Sequence, residues 1–334
     1  MLLRKMDLLA TTPTSTLLNH SKIHIELSSK CTLKCPRCPR TELHPDSLNR
    51  EISLKDFERS FTPDLLQEIQ EITFCGDIGD PIYAKDFLDI VRYIKTYSTT
   101  SLIVVTNGSY KTTAWWQELG ALLHRNDQVT FSIDGWDQAS NEQYRVNCDF
   151  KSIIEGARAL RKSSNCLMTW SAIYFKFNEQ QMEDIKLFAK DLGFDNFQTV
   201  RSSKFDGRYL VNDVDPLKPL GGWYAKGSRY EVTSEKLNNQ VPIIFYNTRD
   251  RHPWARCANW QKEMFITVDG LVFPCPWFNT GYQENDFVDK YRDQLSIKTR
   301  QLKDILEDPL WNELLTRFEI APLEICKLKC KNAQ

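Results

Sequence analysis

Short apolar runs and longer amphipathic stretches alternate along residues 23 to about 200. Six runs have the length and the β-branched or aromatic content of strands: IHIEL (23–27), EITFC (71–75), SLIVV (101–105), QVTFSI (128–133), LMTWSAI (167–173) and FQTV (197–200). Between them, apolar residues recur at spacings of three and four over 54–70, 85–97, 112–124, 151–161 and 179–192, as in helices that bury one face. In the last of these, Met182, Ile185, Phe188, Ala189 and Leu192 form that face. Asn178 stands where an N-cap belongs, and Gly193 where a left-handed residue ends the helix. Six strand–helix units predict an α/β fold with a parallel sheet. Periodicity alone admits either an open doubly wound sheet or an incomplete barrel.

Residues 201–256 break the pattern with scattered Gly, Pro, Asn and Asp, and read as a linker or substrate-facing loop. A second pattern opens near Cys257. There MFITVDGLVFPC reads as a hairpin turning at Asp269-Gly270, and a helix is expected over about 308–319. The expected organisation is an extension (1–22), a core (23–203), a linker (204–256) and a small hairpin-plus-helix domain (257–334).

The 334 residues are enough for one large and one smaller domain. With 43 basic against 44 acidic residues, no nucleic-acid footprint is evident. No apolar stretch is long enough to span a bilayer, and the N-terminal residues lack the apolar centre of a signal peptide, so a cytoplasmic protein is expected. That compartment disfavours disulfides, and the ten cysteines then point to metal. Cys31, Cys35 and Cys38 form a tight group, Cys257, Cys275, Cys326 and Cys330 a spread one. Cys75, Cys148 and Cys166 stand alone and are expected to be core residues.

Cys31-Thr-Leu-Lys-Cys35-Pro-Arg-Cys38 directly follows the first predicted strand, where parallel sheets bind ligands. Three thiolates in so short a loop suit a [4Fe–4S] cluster with one iron left for another ligand. Zinc, with a fourth ligand from His24 or His44, is the alternative. The spacing resembles the CxxxCxxC motif of the radical S-adenosylmethionine (SAM) superfamily. The resemblance implies a partial (βα)6 barrel and a cluster whose open iron binds SAM. It also implies reductive cleavage of SAM to a 5′-deoxyadenosyl radical that abstracts a substrate hydrogen. Arg37 replaces the aromatic residue common before the third cysteine, and a guanidinium can stack on adenine in its stead.

Further positions follow from the same resemblance. Cys75-Gly76-Asp77-Ile78-Gly79-Asp80-Pro81 is similar to the family's GGEP-type segment, so Gly76, Asp77, Gly79 and Asp80 are expected near the SAM amino group. Thr106-Asn107-Gly108 and Ser132-Ile133-Asp134-Gly135 also resemble family segments, with Ser132 and Asp134 expected near the ribose and Arg201 near the carboxylate. Asp77, Tyr144, Arg145 and Tyr174 are candidate helpers in chemistry, none of them marked as a base, and the catalytic residues are left unassigned.

Cys257-x12-Gly270-x4-Cys275 followed by Cys326-x3-Cys330 resembles the SPASM and twitch modules, which implies a second [4Fe–4S] cluster held by four thiolates. Structural zinc is the alternative there. Trp254, Trp260, Trp277 and Phe278 are expected to pack over this site. The implied activity is a radical SAM oxidoreductase in which the auxiliary cluster takes the remaining electron. Modification of a peptide or protein is the second reading, and a non-catalytic zinc-stabilised binding protein the third. Expected partners are a small-molecule or peptide substrate and a reductase such as flavodoxin or ferredoxin, with no membrane.

Overall fold

A computed structural model of the chain describes residues 22–42, 49–76, 78–200, 217, 264–276 and 286–320. The six expected strands are β1 (Lys22–Ile25), β2 (Glu71–Phe74), β3 (Ser101–Thr106), β4 (Gln128–Ser132), β5 (Leu167–Ile173) and β6 (Asn196–Val200). All five contacts between consecutive strands are parallel. The C-terminal hairpin forms β7 (Met264–Ile266) and β8 (Val272–Phe273). It joins the same sheet, because β7 pairs parallel with β1 and antiparallel with β8. The order is therefore β6-β5-β4-β3-β2-β1-β7-β8, with β1 an interior strand and both cysteine-bearing parts of the chain meeting on one sheet. The turn after β7 is wider than two residues: Thr267 N–H donates to Leu271 O, and Gly270 takes the left-handed conformation at φ +83°.

The helices cover one face of the sheet. They include α1 (Pro39–Glu42), α2 (Leu54–Ser60), α3 (Pro63–Glu68), α4 (Phe87–Tyr97), α5 (Thr113–Leu122), α6 (Gln138–Glu142), α7 (Phe150–Ser163) and α8 (Met182–Asp191). Phe74 of β2 packs on Phe87 of α4 at 5.8 Å, Phe131 of β4 on Trp116 of α5 at 5.0 Å, and Trp170 of β5 on Phe188 of α8 at 6.0 Å. These three residues share the parity of Val104, Val129 and Met168, so they lie on one side of the pleat. The opposite face carries hydroxyls and amides in cross-strand rows, Thr130 beside Thr169, and Ser132 beside Ser171 beside Gln198. A sheet with helices on one side and a polar lining on the other is a curled, barrel-like sheet, not a doubly wound one. A polar row can then face a ligand while the apolar row holds the core.

Two local expectations change. The helix expected over 54–70 is broken into α2 and α3, because Pro63 has no N–H to continue it and Thr62 turns extended to cap the new start. Asn178 does not cap α8, whose N-cap is Gln181. Fully buried Asn178 instead donates to Asp134 O at 2.7 Å and Ile173 O at 2.8 Å and accepts from Phe175 N–H, tying the ends of β4 and β5. Gly193 does close α8, at φ +87°. Beyond β8 lie α9 (Asp286–Lys290), α10 (Leu302–Glu307) and α11 (Pro309–Ile320), the last matching the expected C-terminal helix. Cys148 and Cys166 are buried as core residues, while Cys75 is half-buried at the end of β2.

Candidate cluster and SAM site at the carboxyl ends of the strands

The Cys31–Cys38 loop leaves the carboxyl end of β1 and is held from three directions. Ser29 O accepts from Arg40 Nε at 3.1 Å, and Leu33 is buried in the core. Lys34 N–H donates to Val146 O at 2.9 Å, and Asn147 Nδ2 donates to Thr32 O at 2.8 Å. Arg37 adopts the left-handed conformation at φ +62°, so the chain turns sharply between Cys35 and Cys38 before Pro39 opens α1. Cys35 is buried; Cys31 and Cys38 are half-buried. Burial pushes the Cys31 thiol well above its usual range, with Asp80 and then Cys35 and Cys38 raising it further. Among the described residues, no three Cys, His, Asp or Glu side chains converge closely enough for a single metal ion. Three thiol donors within eight residues are the donor set suited to a [4Fe–4S] cluster with one iron left for another ligand. His24 bonds Cys75 O through Nε2 at 2.9 Å, and its ring meets Phe265 edge-on.

The loop after β2 folds against the end of β1. A Cβ on Gly76 would lie 2.2 Å from Gly79 O, and one on Gly79 only 1.9 Å from Ser28 O, so both positions require glycine. Asp80 follows, buried, with its backbone N–H donating to Lys30 O. Its carboxylate accepts from Asn107 N–H at 2.7 Å, Asn107 Nδ2 at 2.5 Å, Thr106 Oγ1 at 2.9 Å and Ile82 N–H at 3.2 Å. Burial pushes its pKa up to about 6 against the pull of those donors. Asp80 thus directs its oxygens to the end of β3. The Asn107 amide that it orients also lies 3.6 Å from Cys31 Sγ. Tyr83 completes the link, bonding Thr32 Oγ1 at 2.8 Å and donating to Ser109 O at 2.7 Å.

At the end of β4, Ser132 is half-buried on the polar face, whereas Asp134 is fully buried. Asp134 accepts from Arg145 Nε and from Ile173 N–H, both at 2.6 Å. Burial works against the Arg145 charge, but Asp134 and the nearby Cys35 more than offset it and hold the guanidinium above its usual range. Tyr144 packs on Phe175 at 4.3 Å, and burial raises its phenol well above the ordinary range. Tyr174 is buried beyond the end of β5, its backbone N–H donating to Val200 O.

The fold thus gathers Cys31, Cys35, Cys38, Gly76, Gly79 and Asp80 at the carboxyl ends of β1 to β3, with Asp134 and Arg145 adjoining from β4. Asp77, Arg201, His44, Cys257, Cys326, Cys330, Trp254, Trp260, Trp277 and Phe278 lie outside the described residues. Cys275 is buried just after β8. Two contributors carried little sequence signal of a role: Tyr83, and Glu26, which directly follows β1.

Profiles of two families match the chain: the Radical SAM superfamily over residues 25–192, and the SPASM iron–sulfur cluster-binding domain over residues 257–331. Among curated relatives, an S-adenosylmethionine-dependent nucleotide dehydratase of Fibrobacter sp. is 22% identical over 79% of this chain and 79% of its own. The subtilosin biosynthesis protein AlbA of Bacillus subtilis is 26% identical over 80% of this chain and 57% of its own. Among solved structures, Streptococcus suis SuiB bound to its precursor peptide SuiA superposes with a TM-score of 0.61 at 16% identity, covering 89% of this chain and 67% of SuiB. That last likeness is one of fold. No described helix is long and apolar enough to cross a membrane.

Proposed function

The chain belongs to the radical SAM superfamily and carries a C-terminal SPASM domain, and we propose that it oxidises a peptide or protein side chain. The family implies a [4Fe–4S] cluster with SAM, and the SPASM domain implies auxiliary iron–sulfur chemistry. When bound, these groups supply reductive cleavage of SAM, a 5′-deoxyadenosyl radical that takes a substrate hydrogen, and an acceptor for the electron left behind. In this reading Cys31, Cys35 and Cys38 hold the first cluster, and Cys257, Cys275, Cys326 and Cys330 the second. Gly76, Asp77 and Gly79 bring backbone groups toward the SAM amino group. Asp80 acts through Asn107, keeping its amide on Cys31, and Arg145 offers a cation beside Cys35. Ser132 lies on the polar face beside Ser171, within reach of a ribose or substrate, and Arg37 and Arg201 are assigned to the adenine and carboxylate ends of SAM.

The reading rests chiefly on one observation, the placement of Cys31, Cys35 and Cys38 in one loop at the carboxyl end of the interior strand β1, beside the glycine loop after β2. The peptide substrate is supported by AlbA, a bacteriocin biosynthesis protein, and by SuiB, solved with a precursor peptide. The polar lining of Thr130, Thr169, Ser171 and Gln198 is suited to hydrogen-bonding backbone amides of such a substrate. The proton lost from the substrate is assigned to no described residue. Electrons are expected from a flavodoxin or ferredoxin, and a cytoplasmic setting fits that supply.

Anaerobic reconstitution of the protein, with iron, sulfide and zinc counted per chain, tests the assignment. About eight irons, falling to about four when Cys31, Cys35 and Cys38 are all replaced by alanine, are expected for two four-iron clusters. The dithionite-driven formation of 5′-deoxyadenosine should vanish in that variant. Stoichiometric zinc without iron would overturn the reading. Peptides encoded beside the gene, incubated with SAM and reductant, should yield a product two hydrogens lighter; unchanged peptides alongside an oxidised small molecule would remove the peptide half.

A further inference from the structure

Glu26 is a fully buried carboxylate. It follows β1, an interior strand of the sheet, and lies in the run Ile23-His24-Ile25-Glu26-Leu27, whose Ile23, Ile25 and Leu27 are also buried. Its backbone N–H extends the β1–β7 pairing by donating to Ile266 O at 2.9 Å. Its side chain then reaches in two directions. Oε1 accepts from Ile78 N–H at 2.8 Å, inside the glycine loop after β2. Oε2 accepts from Val268 N–H at 3.4 Å, in the turn that leads from β7 toward Cys275.

Burying a charge is costly unless hydrogen bonds replace its hydration. An apolar residue would fill the same volume without that cost. What a carboxylate adds is a pair of acceptors able to hold backbone donors from two segments that are 190 positions apart in the chain, Ile78 and Val268. We infer that Glu26 is a positioning residue, which locks the SAM-facing loop Gly76–Asp80 and the turn before Cys275 into one geometry. This inference rests on the proposed function, and extends it by tying the two cofactor-bearing regions through a single side chain. Glu26 acts in this role through the backbone N–H groups of Ile78 and Val268.

The sharp variant is Glu26→Gln. It keeps the size and one acceptor but turns an NH2 group toward a backbone N–H, so both segments cannot be held together. The holoenzyme should keep its iron content, yet its KM for SAM in dithionite-driven cleavage should rise about tenfold, the effect of losing one charged hydrogen bond, with kcat changing much less. The electron paramagnetic resonance spectrum of the C-terminal cluster should shift as well. Arg50→Ala serves as the control, because Arg50 pairs with Asp269 of the same turn and no bond joins its side chain to the glycine loop. It should leave the KM for SAM unchanged. An E26Q enzyme with parental KM and spectrum overturns the inference, as does an Arg50→Ala enzyme with the same rise in KM. A parent that binds no iron and cleaves no SAM removes the proposed function first, and this inference with it. Should E26Q fail to fold, amide exchange on the parent decides: slow exchange at both Ile78 and Val268 is expected, and fast exchange at either refutes the tether.

Discussion

The side-chain amide of Asn107 lies 3.6 Å from the sulfur of Cys31 and 2.5 Å from Asp80, so one group connects the end of β3 to the cysteine loop after β1. The acid holds the amide, and the amide faces the sulfur. An N–H directed at a thiolate stabilises its negative charge, and hydrogen bonds to cluster sulfurs are one of the means by which proteins set reduction potentials.

Replacing Asn107 by alanine should therefore lower the potential of the N-terminal cluster and slow SAM cleavage at a fixed reductant strength. A redox titration followed by electron paramagnetic resonance checks this. An unchanged or raised potential would show that the amide does not act on the sulfur.

Asp80 makes a second, independent prediction about pH. Its pKa is raised by burial from the ordinary 3.8 to about 6. The folded chain thus holds this proton more tightly than the unfolded chain. The associated stability is complete below pH 3.8 and is lost as the pH climbs through about 6. Urea unfolding of the metal-free chain at several pH values should show this fall, which would amount to about 3 kcal/mol for a shift of that size. The Asp80→Asn variant should lack that component of the slope, whatever its absolute stability. Parallel pH profiles for the two proteins would contradict the assignment.

The Asp134–Arg145 pair is largely removed from water, with side-chain exposures of 0% and 15%. Arg145→Met would remove the guanidinium that pairs with the buried Asp134 carboxylate, while Ile173 N–H still donates to it. A loss of about 3 kcal/mol is expected from breaking such a pair. Denaturation midpoints measure it. A loss below about 1 kcal/mol would mean that solvent reaches Asp134 and screens it, as happens for surface pairs.

At Gly79 the limit is steric. A methyl group there would lie 1.9 Å from the backbone oxygen of Ser28, which no rotamer change can relieve. Gly79→Ala should displace the loop and weaken SAM binding at least tenfold, while the iron content stays at the parental level. Equilibrium dialysis with labelled SAM tests this, and parental affinity would show that the loop takes no part in the site.

How much of this was legible from the chain alone depends on the range of each interaction. All six core strands were readable within one or two residues, because side-chain alternation and helical spacing are local consequences of backbone geometry. The cysteine triplet was equally plain, since its three thiols lie within eight residues of a loop kept out of helix by prolines. Pro63 was visible too, but its division of one apolar stretch into two helices outweighed a periodicity that ran straight through it. Asn178 shows where local reasoning stops. It has a good capping residue's chemistry, yet its amide is drawn to Asp134 and Ile173, because buried carbonyls at the ends of two strands must find donors.

The tertiary structure alone decided that the helices share one face, that β7 lies beside β1, that Asn107 meets Cys31 and that Glu26 spans two distant turns. The hydrophobic period says which side of an element is buried, but not which neighbour buries it. Strand order settles that choice, and it is set by packing among segments far apart in the chain.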